Sequence, residues 1–190
     1  TGTNIRMKGC RFEGNGNDGS TIQGEAFALA SLNGLDMGGL VVDSCVFKEN
    51  NPGELIWFDV FGGSLEIFDS KFESNESYGF NTEAFSECQI LDCEFIMKKH
   101  GSYLFLGKNT SFSQNRVLTQ GFDYFENIVI VGHKSTFNFF NNLITYQSNP
   151  NKTFVVSNPE NLINIFGNTI IGSKTLISST YGAKVYFFNC

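Results

Sequence analysis

A short pattern of apolar and polar positions returns along the whole chain, and its clearest copy is Leu65-Glu66-Ile67-Phe68-Asp69-Ser70-Lys71-Phe72-Glu73-Ser74-Asn75. The first and third positions are apolar, the second is mostly polar, the sixth is small or an amide, and the eighth is a phenylalanine or an aliphatic residue. Other copies occupy 5–15, 40–50, 88–98, 110–120, 137–147, 163–173 and, cut short, 185–190. Alternation over the first three positions predicts a strand, and the apolar eighth position predicts a second strand after a bend. Apolar runs at 26–29, 55–58, 102–105, 128–131, 153–156 and 175–178 predict a third strand between copies.

The sixth position holds Cys10, Cys45, Ser70, Cys93, Asn115, Asn142, Asn168 and Cys190, spaced by 35, 25, 23, 22, 27, 26 and 22 residues. A period in the low twenties with insertions is the signature of a solenoid. Two or three strands per period, with no helical pattern between them, leave no room for the helical crossover of a βαβ sheet. The expectation is an all-β fold: one parallel β-helix solenoid domain spanning 1–190, with about seven coils of 22–35 residues forming a rod near 34 Å long. The extra length in the first interval falls on the glycine- and asparagine-rich stretches 14–20 and 33–39, which read as surface loops.

In such a fold each alignment column becomes a physical stack, because successive coils sit about 4.8 Å apart. Phe12, Phe47, Phe72 and Phe95 are expected to stack inside, continued by Val117, Ile144 and Ile170, with Asn115, Asn142 and Asn168 forming an inward amide ladder at a corner. The fourth position reads Lys8, Asp43, Phe68, Leu91, Ser113, Phe140, Phe166 and Phe188. Strand parity points it outward, making Phe68, Leu91, Phe140, Phe166 and Phe188 candidates for a partner surface. The other reading is that the bend turns these side chains inward.

These repeats resemble a known architecture. The chain is similar to right-handed parallel β-helices of the pectin-lyase-like type, and Phe12-Glu13-Gly14-Asn15, Phe47-Lys48-Glu49-Asn50 and Phe72-Glu73-Ser74-Asn75 are similar to the Phe-x-x-Asn half-repeat of polymorphic outer-membrane protein and adhesin families. The resemblance implies a right-handed coil and a cell-surface or extracellular setting. Polysaccharide-cleaving enzymes of the fold imply where chemistry would sit: clustered carboxylates, sometimes with calcium, and a basic residue outside one sheet. Asp69 and Asp92 on adjacent coils, with Lys71 and Arg116 in the seventh column, are the residues that could supply it. The competing reading is a charge ladder Lys71-Glu94-Arg116 beside two turn aspartates. His133, in a Gly-His-Lys similar to the Gly-His-Gly of pectin-degrading hydrolases, and His100 lack the partners a catalytic base requires.

Composition narrows the choice further. Against 21 Phe, 21 Asn and 20 Gly there is one Trp, which suits short buried strands joined by tight turns. A net charge of −6 without basic blocks argues against a nucleic-acid partner, and the absence of a long apolar run argues against direct membrane insertion. No metal-spaced His/Cys cluster and no phosphate loop implies a cofactor. The chain opens without an initiator Met and stops within a strand-like pattern, so a longer native chain is expected. Among the cysteines, Cys10 and Cys45 are the two on neighbouring coils within reach of a bridge; most read as small buried fillers, and Cys88 stands apart. Asn75, Asn109 and Asn151 lie in glycosylation sequons, Asn151 in the best turn context. The function expected is a non-enzymatic structural or adhesive module of an extracellular protein, with other protein chains or further repeats as partners. The alternative is a polysaccharide-active lyase or glycoside hydrolase, or a carbohydrate-binding module.

Overall fold

A computed structural model of the chain describes residues 4–14, 27–30, 38–49, 56–59, 63–73, 80–82, 85–97, 104–119, 128–130, 134–146, 154–156, 160–172, 177–179 and 182–189. All the regular elements among them are strands, and all strand pairs are parallel. The first sheet stacks Asn4–Lys8, Gly39–Asp43, Ser64–Phe68, Glu87–Leu91, Thr110–Ser113, Thr136–Phe140, Leu162–Phe166 and Lys184–Phe188 in chain order. These eight strands define rungs 1 to 8. The second sheet stacks Arg11–Glu13, Val46–Lys48, Lys71–Glu73, Glu94–Met97, Arg116–Thr119, Leu143–Tyr146 and Thr169–Ile171. The third stacks Phe80–Asn81, Leu104–Leu106, Ile128–Ile130, Phe154–Val156 and Ile177–Ser179, while Phe27–Ala30 and Ile56–Asp59 pair separately.

The expected third strands therefore form, displaced by one or two residues, and one more appears at Phe80–Asn81. Two residues flanked by polar chain carry too little alternation to be seen in advance. The loops expected at 14–20 and 33–39 lie largely outside the described residues.

Register follows the alignment columns. Leu40 pairs with Leu65, Val42 with Ile67, Phe139 with Ile165, and Phe95 with Val117. First- and third-position side chains from Leu40 to Ile165 are buried, and the polar member among them, Thr110, donates its hydroxyl to Gly107 O at 3.1 Å. The Phe12, Phe47, Phe72 and Phe95 rings stack at centroid separations of 4.8, 5.0 and 4.9 Å with interplanar angles of 8°, 3° and 6°. Near-parallel rings with centroids almost 5 Å apart describe stacking, with the rings offset as their quadrupoles favour.

At rung 5 the large side chain changes sheets. The eighth position shrinks to Val117, Ile144 and Ile170, and the third grows to Phe112 and Phe139. Phe95 accordingly meets Phe112 at 5.6 Å and 32°, and Phe112 meets Phe139 at 5.9 Å and 53°. The interior volume is filled from the opposite wall, as close packing demands.

The bend between the first two sheets explains the fifth and sixth columns. Gly9, Ser44, Asp69, Asp92, Gln114, Asn141, Gly167 and Asn189 all adopt positive φ, between 45° and 63°. That left-handed conformation favours glycine and short polar side chains. At Gly167 an added Cβ would run into the Asn141 side chain. Each fifth-position N–H from Gly9 to Gly167 still donates to the next rung, as Asp69 N does to Leu91 O at 3.2 Å and Asn141 N to Phe166 O at 3.0 Å.

The sixth-position N–H points away from the ladder, and the side chain one rung on receives it. Asn115 N donates to Asn142 Oδ1 and Asn142 N to Asn168 Oδ1, both at 2.9 Å. The amide nitrogens of Asn115, Asn142 and Asn168 donate in turn to the carbonyls of Ile90, Phe112 and Phe139. In the earlier rungs Ser70 Oγ accepts from Cys45 N at 3.1 Å. A second corner, before the first sheet, repeats the device where Ser135 N donates to Asn161 Oδ1 at 3.1 Å. Alignment from the first strand position had hidden this corner.

Candidate functional site

The inward columns are consumed by the fold, so candidate chemistry lies on the outward positions. On the first sheet the fourth position points outward. Lys8 is exposed, while Asp43, Phe68, Leu91, Ser113 and Phe140 are half-buried. Phe166 is 42% exposed although Phe140 and Phe188 flank it, so its exposure is not an end effect; Phe188 is 52% exposed. Phe140 and Phe166 meet edge to face at 6.3 Å, and Phe166 and Phe188 are tilted at 6.4 Å. Among the described residues every exposed large hydrophobic side chain belongs to rungs 6 to 8: Leu143, Phe166, Ile171, Tyr186, Phe187 and Phe188. Phe187 is of a different kind, because it sits in an interior column that no described rung covers.

In rungs 1 and 2 the same column is ionic. Arg6 contacts Asp43 at 2.7 Å and Lys8 contacts it at 3.4 Å. The Arg6 hydrogen bond, followed by that of Ser44 and assisted by Lys8, brings the Asp43 carboxyl down to about 2.

Asp69 and Asp92 lie side by side at the bend, one residue past the Phe68–Leu91 register pair. Both are exposed, and both take the positive φ common to the column. Their identity is accounted for by backbone conformation. Lys71 lies 3.1 Å from Glu73 and 3.3 Å from Glu94, and Arg116 lies 3.3 Å from Glu94. The Glu73 hydrogen bond, aided by Glu94 and opposed by burial, raises the Lys71 ammonium above its usual range. Among the described residues no group of three or more His, Cys, Asp or Glu side chains is placed to hold a metal ion. His100 and His133 lie outside the described residues.

A polar groove crosses the outer face of the first sheet between Ser64, Glu66, Glu87, Gln89, Asn109 and Ser111. Alternation alone marks these positions as outward, but nothing in their spacing singles out this place. Asn109 is exposed, yet its amide is engaged: Nδ2 donates to Ser86 O at 3.3 Å, and Oδ1 accepts from Thr136 N at 3.2 Å. The sequons at Asn75 and Asn151 fall outside the described residues. No helix among the described residues is long and apolar enough to cross a membrane.

Stacked parallel coils with an inward amide ladder define a β-helix. Residues 1–144 match the family described as the right-handed β-helix region, and the chain belongs to that family. The coil is of the right-handed, pectin-lyase-like type that the repeats resemble. No curated protein and no solved structure gives a significant match to the chain.

Proposed function

We propose that this β-helix is a non-enzymatic structural or adhesive module of an extracellular or cell-surface protein, joined side by side to other protein chains or further repeats through Phe68, Leu91, Phe140, Phe166 and Phe188. The observation that carries the reading is Phe166, 42% exposed in the middle of an aromatic column on a rigid sheet. The fold does not need a phenylalanine there, and an exposed apolar stripe commonly marks a partner surface. Sedimentation velocity tests it: side-by-side association is expected, and Phe140→Ser/Phe166→Ser abolishes it. Unchanged association in that variant would remove the stripe from the account.

The second reading is a carbohydrate-binding or polysaccharide-active module. The groove between Ser64 and Ser111 favours it, because hydroxyl, amide and carboxylate side chains line it. Turnover on a polysaccharide panel, with and without calcium, that disappears in Asp69→Ala/Asp92→Ala would favour the enzyme. Binding without turnover that Gln89→Ala/Ser111→Ala weakens would favour the binding module.

A further inference from the structure

The sixth column runs Cys10, Cys45, Ser70, Cys93, Asn115, Asn142, Asn168, so among the described residues it holds one pair of cysteines on consecutive rungs. The two strand segments beside them are in register, with Arg11 opposite Val46 and Phe12 opposite Phe47, and Val46 N donates to Cys10 O at 2.9 Å. The Phe12 and Phe47 rings, two residues further on, set the local rung spacing at 4.8 Å. That spacing lies inside the Cα separation a disulfide spans. Both side chains have the same orientation, since Cys10 Sγ donates to Lys8 O at 3.6 Å and Cys45 Sγ to Asp43 O at 3.3 Å. Both are free in this structure. Cys93 is separated from Cys45 by Ser70, and Cys88 occupies a different column.

We propose that Cys10 and Cys45 are an oxidation site, forming a reversible disulfide that staples rung 1 to rung 2 when a low-molecular-weight disulfide is present. Cys10, half-buried and therefore reachable, loses its proton and attacks one sulfur of the reagent RSSR. A mixed disulfide forms and one RS⁻ leaves. Cys45, buried one rung away, then attacks Cys10 Sγ as its thiolate and displaces the second RS⁻. The two protons given up by the cysteines appear on the two RSH products, and the two electrons lost by the protein reduce RSSR. The bond closes a span of 35 residues, from Cys10 to Cys45, which includes the long first interval. Cross-linking a span of that length restricts the unfolded chain.

The test uses the whole chain, reduced and then incubated with glutathione disulfide. Intact mass is expected to fall by about 2 Da, two fewer thiols are alkylated after denaturation, and a digest contains a peptide linking Cys10 to Cys45. The Tm rises by about 5–10 °C, returning on addition of dithiothreitol. Cys10→Ser abolishes the link and the rise. A stable glutathione adduct on Cys10, a link through Cys88, Cys93 or Cys190, an unchanged thiol count, or a bridge without a rise in Tm would each overturn the proposal. The mass and peptide map are read on the unmutated protein, so misfolding of the variant cannot obscure the outcome.

Discussion

Rungs 1 to 4 and rungs 5 to 8 enclose the same interior with different residues. In the first group phenylalanine lines the second sheet, Cys or Ser fills the corner, and the outward column begins with Lys8 and Asp43. In the second group phenylalanine moves to the first sheet at Phe112 and Phe139, asparagine fills the corner of rungs 5 to 7, and the outward column runs from Ser113 to Phe140, Phe166 and Phe188. The core requires a conserved volume and a satisfied corner N–H, and either set of side chains meets both needs. The outward column has no such requirement. Its change from the ionic Lys8 and Asp43 to the apolar positions further along, Phe166 above all, is the difference on which the proposed partner surface rests.

The largest effect expected comes from emptying either core. Phe47→Ala and Phe139→Ala should each cost about 3–5 kcal/mol in urea unfolding, since both side chains are fully buried. A sharper form exchanges the two solutions within rung 5. Phe112→Val leaves a cavity and Val117→Phe overpacks the opposite wall, so each alone destabilises by about 1–3 kcal/mol. Together they recreate the Val42/Phe47 arrangement of rung 2, and the double variant should be less destabilised than the sum by at least about 1 kcal/mol. Strict additivity would contradict the view that large side chains trade places across one shared interior.

The corner should differ between halves by a smaller amount. Asn142→Ala removes the acceptor of Asn115 N and the donor to Phe112 O, and should cost about 2–4 kcal/mol. Ser70→Ala removes one acceptor and one donor of a hydroxyl and should cost about 1–2 kcal/mol. Equal costs would mean that the amide ladder adds nothing beyond what a serine hydroxyl supplies at the same corner. Thiol chemistry separates the cysteines as well. Burial raises the Cys93 thiol to about 12 and the Cys88 thiol to about 11, so in the folded chain neither should be alkylated by iodoacetamide at neutral pH. The half-buried Cys10 should react before Cys45, Cys88 and Cys93.

The smallest effect belongs to the ionic face. Asp43 has its carboxyl lowered from 3.8 to about 2, chiefly by Arg6. A depressed carboxyl contributes stability above its unfolded pKa and loses it as pH falls through the folded one. The contribution is thus complete above about pH 4 and gone below about pH 2. Asp43→Asn should flatten that segment of the stability curve and leave neutral-pH association through Phe166 unchanged.

Much of this was legible from repetition. Columns of Phe12, Phe47, Phe72 and Phe95, and of Asn115, Asn142 and Asn168, translate directly into stacks because a solenoid converts period into distance. The Phe80–Asn81 strand and the Ser135/Asn161 corner were not legible, since each lies outside the repeated core where spacing varies. The cross-sheet meeting of Phe95 with Phe112 was hidden too, because column reading sees one wall at a time. The candidate surface was half legible: parity placed Phe140 and Phe166 outward, but whether the bend would bury them depended on backbone geometry at Asn141 and Gly167. Asp69 and Asp92 drew attention as paired carboxylates, and their φ values supply the simpler reason for their presence.

Phe139 and Phe140 bring the account to a single pair of neighbours, one fully buried and one half-buried with its ring against Phe166. The most direct measurement compares Phe139→Ser with Phe140→Ser by urea unfolding and sedimentation velocity on the same samples. Phe139→Ser should lose most of the stability of the fold, whereas Phe140→Ser should remain folded, within about 1.5 kcal/mol of the unmutated chain, and lose association. Comparable destabilisation by the two substitutions, or full association of a folded Phe140→Ser chain, would contradict the division between a column that builds the coil and a column that meets a partner.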